Sequence, residues 1–472
     1  MVYFSEHPVG VALSLGWALY LVALVTWIVL QKRPPLSTLA WIFGLAAVPV
    51  LGFVIYFYLG PQKIRRQRLR RARLRHLHRC TPQGDPELAA RLPRRKQGLA
   101  RLIEAATGAP VSNATSVELL VGGTATFDAL VAAIVSAQHH VHLEYYIFEP
   151  DEVGLRLRDA LAVRARAGVA VRVLLDAVGS AGIGWRFLAP LRAAGAEVVF
   201  FHPFRLATLR PLLNLRTHRK IAVIDGKVGF VGGVNISARQ DGRLRADAWH
   251  DLHLRLEGPA VGWLQAVFAE DWHYTRRRPL PERELYADMP SGSTAVQIVA
   301  SGPDSDGEAI HRAFLQAIAD ARQRVWLVTP YFVPGEATLY ALGNAALRGI
   351  DVRLLLPARS DSRFVTWAAR SYYDELQQYG VRIYEYQRVA LHAKAMLVDD
   401  DCALLGTANF DIRSFRLNFE VACAVYDADF AAMLARQLEL DFGQSRRISR
   451  TRPLRLWQRL AEAFARLFSP LL

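Results

Sequence analysis

The chain has 472 residues, 52% of them hydrophobic, and a formal net charge of +15. This length has room for two or three domains, and the hydrophobic fraction is high for a soluble protein, with the excess concentrated in the first 60 residues. The three cysteines, Cys80, Cys402 and Cys423, are too widely spaced to indicate a disulfide framework or a zinc site.

The positive charge lies in two segments. Nine Lys or Arg residues lie between Lys63 and Arg79 and six between Arg446 and Arg459, with no acidic residue in either, so the rest of the chain has no net charge. A nucleic-acid groove would spread basic residues over the binding domain. Two basic flanks instead indicate a protein that lies against an anionic membrane. We therefore expect anionic phospholipids, and not nucleic acid, as partners.

The chain opens with two uncharged stretches, residues 9–30 and 36–60. At about 1.5 Å per residue, a helix over the first can cross a hydrocarbon core of about 30 Å. A signal peptide is the alternative for the first stretch, but it lacks a basic n-region and a second stretch follows at once. We predict a two-helix transmembrane hairpin over residues 1–62.

The charges around this hairpin predict its orientation. Only Lys32 and Arg33 lie in the link between the two stretches, against nine basic residues just after the second. The positive-inside rule then places the link outside and the chain that follows the hairpin in the cytoplasm. The expected location is the inner (plasma) membrane.

After a basic segment and connector at residues 63–116, strand and helix patterns alternate, and one strand-helix-strand series occurs twice. The first series comprises residues 141–148, 155–168 and 169–178, and the second comprises residues 325–334, 338–349 and 350–357. An internal duplication accounts for this recurrence. We predict an α/β fold with two α/β/α halves around central sheets, at 117–288 and 295–445, followed by a basic amphipathic tail at 446–472.

Each half contains one copy of the same motif. The first copy runs from His218 to Asn235 as HRKIAVIDGKVGFVGGVN, and the second from His392 to Asn409 as HAKAMLVDDDCALLGTAN. Both read His-x-Lys, four residues, Asp, and a Gly-rich turn that ends in Asn. A single His-x-Lys is common by chance, whereas two copies that agree at five residue types are not. Alternation along the predicted strands makes the His and the Lys of a copy project together.

These residue types suit the attack on a phosphate ester. Transfer at a phosphodiester needs a nucleophile, an acid for the leaving alkoxide, and positive charge on the non-bridging oxygens. His218 and His392 can meet between the halves and fill the first two roles. The other polar motif residues would form the phosphate clamp: Lys220, Lys394, Asn235 and Asn409. We expect neither a metal nor another cofactor, because the lysines provide the charge that a metal would bring.

With these motifs the chain resembles the phospholipase D superfamily and, within it, the bacterial cardiolipin synthases. The second motif continues as GTANFDIRSFRLNFE, GPAV follows the first at 258–261, and TPYFVP lies at 329–334. The likeness covers nearly the whole chain, including the predicted hairpin. It implies that two phosphatidylglycerol molecules react to give cardiolipin and glycerol through a phosphohistidine on His218, with His392 as acid and then base.

The resemblance also bears on the carboxylates that hold the histidines. Each imidazole needs a carboxylate at its far nitrogen to fix its tautomer and orientation. Glu420, inside LNFE, matches the family's position and is assigned to His392. Asp251, in AWHDL, is the candidate for His218.

Three other motif positions are candidates for the site. Asp225 and Asp399 are included among the catalytic residues, although we favour a structural role for both. Thr407 stands where relatives have Ser and keeps the hydroxyl, so it is a phosphate-binding candidate. Gly233 stands at the equivalent position of the first copy and offers only its backbone N–H.

Several alternatives stay open. The same motifs suit a hydrolytic phospholipase D, a phosphatidyltransferase with another donor such as phosphatidylethanolamine, or, less consistently with the uncharged core, a membrane-tethered nuclease. We expect His139, His140 and His142 to be structural because no acidic cluster accompanies them. The apolar stripe of the tail either lies in the membrane interface or packs on the protein. The sequence does not indicate an oligomeric state.

Overall fold

The computed structural model describes residues 8–30, 35–48, 52, 82–203, 214–280, 285–305 and 307–469. Contacts divide it into an N-terminal unit and a larger catalytic unit. In the N-terminal unit, helices α1 (Pro8–Val29) and α2 (Pro35–Ala47) pack through Leu24, Ile28 and Leu45. Within the described ranges, no helix has the combination of length and apolarity that a membrane span requires, so the transmembrane prediction is not confirmed.

Several sequence predictions fall outside the described residues. These are the link at 31–34, the second predicted span beyond residue 48 except for 52, and the basic segment at 63–79.

The predicted connector belongs to the second half of the fold. It forms α3 (Pro86–Arg91), α4 (Arg94–Thr107) and β1 (Ser112–Ala114). Leu99 and Ile103 of α4 are fully buried in the core of the second half. Because this contact joins distant parts of the chain, the local pattern did not reveal it.

The first half is a seven-stranded mixed sheet flanked by helices. Its strands are β2 (Ser116–Val121), β3 (His140–Tyr145), β4 (Ala170–Asp176), β5 (Glu197–Phe201), β6 (Lys220–Ile224), β7 (Val228–Gly232) and β8 (Leu252–Glu257). Its helices are α5 (Gly122–Ser136), α6 (Glu152–Arg166), α7 (Trp185–Ala193) and α8 (Val261–Arg276), with a 3₁₀ turn at Ala238–Gln240. The strand order is β2-β8-β7-β6-β3-β4-β5, and β3, β4 and β5 run parallel as predicted.

The second half is built on a nine-stranded sheet. Its own strands are β9 (Thr294–Ser301), β10 (Arg324–Val328), β12 (Asp351–Pro357), β13 (Arg382–Tyr386), β14 (Ala395–Val398), β15 (Cys402–Gly406), β17 (Glu420–Tyr426) and β18 (Ser445–Arg447), with β11 (Phe332–Val333) and β16 (Phe410–Asp411) forming a separate pair. Its helices are α9 (Ala309–Asp320), α10 (Glu336–Leu347), α11 (Arg363–Arg370), α12 (Tyr373–Gln378), α13 (Ile412–Arg416), α14 (Ala428–Gly443) and α15 (Leu456–Leu467).

The strand order of the second sheet confirms the duplication. It reads β1-β9-β17-β15-β14-β10-β12-β13-β18, and its seven inner strands repeat the order of the first sheet. β1 and β18 add an edge strand on each side.

One apolar core joins the two sheets. Ile221 and Val223 of β6 belong to the same buried cluster as Leu397 of β14 and Leu405 of β15. The alternate β6 residues, such as Ala222, face a different core with α5 and α6. This alternation is the one predicted for the motif strand. It places the two motif strands on either side of a shared interior.

Candidate active site

The histidine of each motif precedes its strand and pairs there with the other half. The N–H of His218 donates to the carbonyl of Phe419 at 2.9 Å, and the N–H of His392 donates to the carbonyl of His250 at 2.7 Å. Both contacts belong to short parallel bridges between the halves. The segment leading into each motif strand therefore lies beside a segment of the opposite half.

Because of this pairing, each catalytic histidine contacts a carboxylate that belongs to the opposite half. Nδ1 of His218 lies 3.0 Å from both oxygens of Glu420, and Nδ1 of His392 lies 2.6 Å from Oδ2 of Asp251. Both carboxylates are fully buried. The predicted assignment of Glu420 to His392 and of Asp251 to His218 is wrong. The reason is the interhalf bridge, which brings the residue after Phe419 alongside His218.

Thr407 holds Glu420 in place. Its hydroxyl lies 2.5 Å from Oε2 of Glu420, and Nδ2 of Asn418 donates to Oε1 at 3.2 Å. Thr407 is fully buried and its single hydroxyl hydrogen is used by the carboxylate. The predicted phosphate-binding role of Thr407 is therefore replaced by a positioning role.

Asp251 is held differently, which explains Gly233. A Cβ at Gly233 would lie 2.0 Å from Oδ1 of Asp251, so only glycine leaves room for this carboxylate. The contact that Thr407 makes to Glu420 is made to Asp251 by Gln240, whose Nε2 donates to Oδ2 at 3.1 Å.

Sequence reasoning missed Gln240, although the repeat contained a signal for it. Gln240 follows Asn235 by five positions, as Ser414 follows Asn409. Each of these side chains accepts the N–H of its asparagine, at 2.6 Å for Gln240 and 3.2 Å for Ser414. Because the two residues differ in type, the signal is only their shared offset from the asparagine, one position after the matching Arg239 and Arg413.

Burial sets the charges of the site. It lowers the pKa of His218 and of His392 to about 4, against the opposing pull of each carboxylate. It also opposes ionisation of Glu420 and Asp251, but the adjacent imidazoles and lysines outweigh it and lower the pKa of both carboxyls. The histidines are therefore neutral at pH 7. With Nδ1–H directed at a carboxylate, Nε2 carries the lone pair.

The motif lysines lie directly behind the histidines. Nζ of Lys220 donates to the carbonyl of His218 at 2.7 Å, and Nζ of Lys394 donates likewise to the carbonyl of His392. Burial lowers the pKa of Lys220 to about 7 and that of Lys394 to about 8. A phosphate anion bound nearby would favour the charged, protonated form of both lysines.

Both histidines line one cavity of about 360 Å³, together with Asn235 and Asn409. Its size falls in the range of small-ligand sites, about 300–1,000 Å³. The ring of Tyr146 lies 4.9 Å from that of His218 and the ring of Trp249 lies 5.2 Å from that of His392, measured between centroids.

Charged side chains of both signs also line this cavity. Arg216 and Arg413 line it, as do Asp361 and Asp411. Burial raises the pKa of Asp411 to about 6. The hydroxyl of Tyr331 donates to Asp361 at 2.8 Å. Sequence reasoning did not single out these charged residues: Asp411 and Arg413 lie in β16 and α13, just after the second motif, whereas Arg216 and Asp361 lie in loops.

The motif aspartates lie at the far end of their strands. Asp225 accepts the N–H groups of residues 138, 139 and 140 at 2.8–2.9 Å, and Asp399 accepts those of residues 322, 323 and 324. At about 3.3 Å per residue, Asp225 lies roughly 16 Å along β6 from Lys220. The structure does not support their inclusion among the catalytic residues and agrees with the structural role that we favoured.

The histidines of β3 are also structural. His142 stacks on Phe268 with 4.6 Å between centroids, and its Nδ1 lies 2.9 Å from Oε1 of Gln265. His140 stacks on His142 at 4.4 Å. Both are buried, as expected of core histidines.

Comparison with known proteins gives consistent results along the chain. Residues 130–272 and 314–442 match a family model described as cardiolipin synthase, phospholipase D-like domain, and residues 18–61 match one described as phospholipase D-nuclease N-terminal. Cardiolipin synthase 1 of Bacillus anthracis is 38% identical over 480 residues, covering 97% of this chain and 93% of that protein. Cardiolipin synthase of Geobacillus kaustophilus is 41% identical over 459 residues, covering 94% and 90%.

A solved structure shares the fold. The crystal structure of phosphatidylserine synthase from Haemophilus influenzae Rd KW20 aligns with a TM-score of 0.62 and 13% sequence identity, over 79% of this chain and 98% of that one. At this identity the likeness concerns the fold alone.

Proposed function

The chain belongs to the cardiolipin synthases of the phospholipase D superfamily and is a phosphatidyltransferase, and we propose that it condenses two phosphatidylglycerol molecules into cardiolipin and free glycerol. The observation that carries the proposal is a pair of neutral histidines that line one cavity, each held through Nδ1 by a carboxylate of the opposite half. Such a pair can supply one nucleophile and one proton carrier to a single phosphodiester.

In the first step, Nε2 of His218 attacks phosphorus of the first phosphatidylglycerol. The P–O bond to the headgroup glycerol breaks, and the departing oxygen takes a proton from Nε2 of His392, which has first taken up that proton from solvent because its imidazole is neutral in the resting enzyme. Lys220 and Lys394 stabilise the charge that builds on the non-bridging oxygens. The products are a phosphatidyl group on His218 and free glycerol.

In the second step, a headgroup hydroxyl of another phosphatidylglycerol gives its proton to His392 as its oxygen attacks phosphorus. The P–N bond breaks and its electron pair returns to Nε2 of His218. Cardiolipin leaves, and both histidines recover their starting protonation. Because the second step is chemically the reverse of the first, microscopic reversibility requires that His392 act as the acid in one and as the base in the other.

Product analysis tests this proposal. Full-length enzyme in phosphatidylglycerol vesicles should form cardiolipin and glycerol in equal amounts without a nucleotide, with phosphatidic acid as a minor product in mass spectra. Oriented binding of a hydroxyl supplies an effective molarity of roughly 10⁵ M or more, which exceeds that of bulk water. Phosphatidic acid as the main product would identify a hydrolase, and no product without added phosphatidylethanolamine would identify a different donor.

The pH dependence should reveal the proton that His392 supplies. Since its pKa is about 4, kcat/KM for phosphatidylglycerol should fall about tenfold per pH unit from pH 5.5 to 7. A phosphodiester with a p-nitrophenol leaving group needs no acid, so the rate of its nitrophenol release should not change with pH in this range.

Protein stability sets the lower limit of the usable pH range. The pKa of each histidine in the folded chain lies below its ordinary 6.5, so the free energy of unfolding decreases as the pH falls from 6.5 towards 4.

Above pH 7 both substrates should lose activity. Lys220, with a pKa of about 7, then gives up its proton and its charge. Lys220→Arg keeps the charge and should move this limb towards about 8, the pKa of Lys394. An identical pH profile for the two substrates would contradict the assigned role of His392.

The membrane placement rests on the N-terminal unit. We propose that α1 and α2 anchor the enzyme to the inner membrane with the link outside and the catalytic unit in the cytoplasm. Support comes from the absence of charge in α1 and from the exposure of Leu15, Leu19 and Val22 along it.

Thiol labelling of intact cells tests this topology. In a chain with Cys80→Ser, in which Cys402 and Cys423 are buried, Pro34→Cys should react with an impermeant reagent added outside. Leu440→Cys, on the exposed surface of α14, should react only after lysis. The opposite pattern would place the catalytic unit outside.

A further inference from the structure

We infer that the outer face of α15 docks on an anionic lipid bilayer and guides acyl chains to the adjacent mouth of the catalytic cavity. The inference rests on the proposed function, because it specifies how the lipid substrate reaches the site. It assigns the last helix of the described chain a role in substrate delivery.

One side of α15 is an apolar stripe that faces solvent. Its large side chains are 37–75% exposed: Leu456, Trp457, Leu460, Phe464, Leu467 and Phe468. At about 100° per residue they fall within an arc of about 120°. An exposed stripe of this kind, with an aromatic residue on it, is typical of helices that lie in a membrane interface.

The opposite side of α15 fixes the helix to the protein. Glu462 and Ala465 are buried there, and Glu462 accepts from Arg452 at 3.1 Å. Arg466 pairs with Glu375 at 2.9 Å. These contacts fix the rotation of the helix about its axis, so its apolar stripe is held outward.

Basic residues precede α15 and border one edge of its stripe. Arg447, Arg450, Arg455 and Arg459 are exposed and form no ion pair within the described part of the chain. A symmetric second copy on this face would bring these arginines against their own counterparts, which is unfavourable. An anionic lipid surface complements both the apolar stripe and the arginines, with each basic group strengthening the attraction.

The stripe continues to the cavity through α11. Phe364 lies 5.6 Å from Phe468 and 6.5 Å from Phe464 between ring centroids. The next residue, Val365, lines the cavity. A cavity of about 360 Å³ holds a phosphodiester and its headgroup but leaves the long acyl chains outside. The apolar path from Val365 through Phe364 to the stripe is the surface on which they can lie.

A fluorescent probe tests the docking. Full-length Cys80→Ser chain carrying an environment-sensitive dye at Leu460→Cys is reconstituted in vesicles of phosphatidylcholine, with and without phosphatidylglycerol. The dye should shift to the blue and be quenched by lipids spin-labelled near the headgroup, and more so with phosphatidylglycerol. The matched control is Leu440→Cys on α14, since both leucines are 61% exposed, and its dye should not respond. Arg455→Gln and Arg459→Gln should each weaken the phosphatidylglycerol effect about fivefold.

Kinetics separate this inference from the proposed function. Leu460→Glu should lower the rate on vesicle phosphatidylglycerol at least about tenfold through KM, whereas Leu440→Glu should not. On monomeric short-chain phosphatidylglycerol, Leu460→Glu should keep most of its rate.

Each contrary result has a separate meaning. Equal behaviour of Leu460→Glu and Leu440→Glu on vesicles, or a dye at 460 that ignores phosphatidylglycerol, overturns the inference. A blue shift that depends on protein concentration without vesicles also overturns it, in favour of a second copy. Failure of the wild-type chain to form a cardiolipin analogue from the short-chain lipid overturns the proposed function instead.

Discussion

The His392→Ala variant should trap a phosphatidyl group on His218. With phosphatidylglycerol, turnover should fall at least about 10³-fold, because the leaving alkoxide loses its acid and the incoming hydroxyl its base. With the p-nitrophenol phosphodiester the first step needs no acid, so about one equivalent of nitrophenol should appear per enzyme and then stop. Mass spectrometry of an alkaline digest, where phosphohistidine survives, should locate the adduct on His218.

The companion variants make this result specific. His218→Ala should give no burst and no adduct with either substrate. His139→Ala changes an exposed histidine outside the cavity and should retain full activity. An adduct on His392 in the wild-type chain would reverse the two roles, and full activity in either active-site variant would exclude the two-histidine mechanism.

Substituting each carboxylate should impair the step that depends on the histidine of the opposite half. Glu420→Gln leaves His218 without its anionic partner and should slow the nitrophenol burst roughly 10³-fold or more. Asp251→Asn acts on His392 and should leave the burst intact while slowing phosphatidylglycerol turnover by a similar factor, so that the adduct accumulates with the p-nitrophenol substrate. Both substitutions keep the side-chain shape, and the burst and the steady state are measured in one stopped-flow experiment.

Glu118→Gln, an exposed site on β2, serves as the matched control and should leave both phases unchanged. If each carboxylate served the histidine of the half that its sequence position suggests, the two phenotypes would be exchanged. Equal damage to both phases in both variants would mean that the carboxylates stabilise the fold and do not act on separate histidines.

Local patterns predicted much of the fold. Periodicity and the repeated motif identified the parallel strands, the duplication and the two faces of β6, because these features depend on neighbouring residues. The role of α4 in the second half was not predictable, since Leu99 and Ile103 meet their partners far along the chain. The same is true of α15, whose amphipathic pattern left both of its possible environments open.

The sequence predicted which residues form the site but not which carboxylate contacts which histidine. The motifs identified both histidines and both lysines, and the resemblance identified both carboxylates. Which carboxylate contacts which histidine depends on two isolated bridges between the halves, Thr217 with Phe419 and His250 with Leu391, and such bridges have no sequence signal. Thr407 was misjudged for a related reason: a hydroxyl near a phosphate site can equally serve the carboxylate behind it.

The crossing also fixes when the enzyme becomes reactive during its synthesis. Glu420 follows His218 by 202 residues, and His392 follows Asp251 by 141. At about 5–20 residues per second, a ribosome finishes His218 roughly 10 s or more before it adds Glu420. For most of that interval the chain also lacks His392, so it has neither a carboxylate to orient His218 nor a proton carrier opposite it. A chain released early is therefore inert, and lipid chemistry begins only when translation is nearly complete.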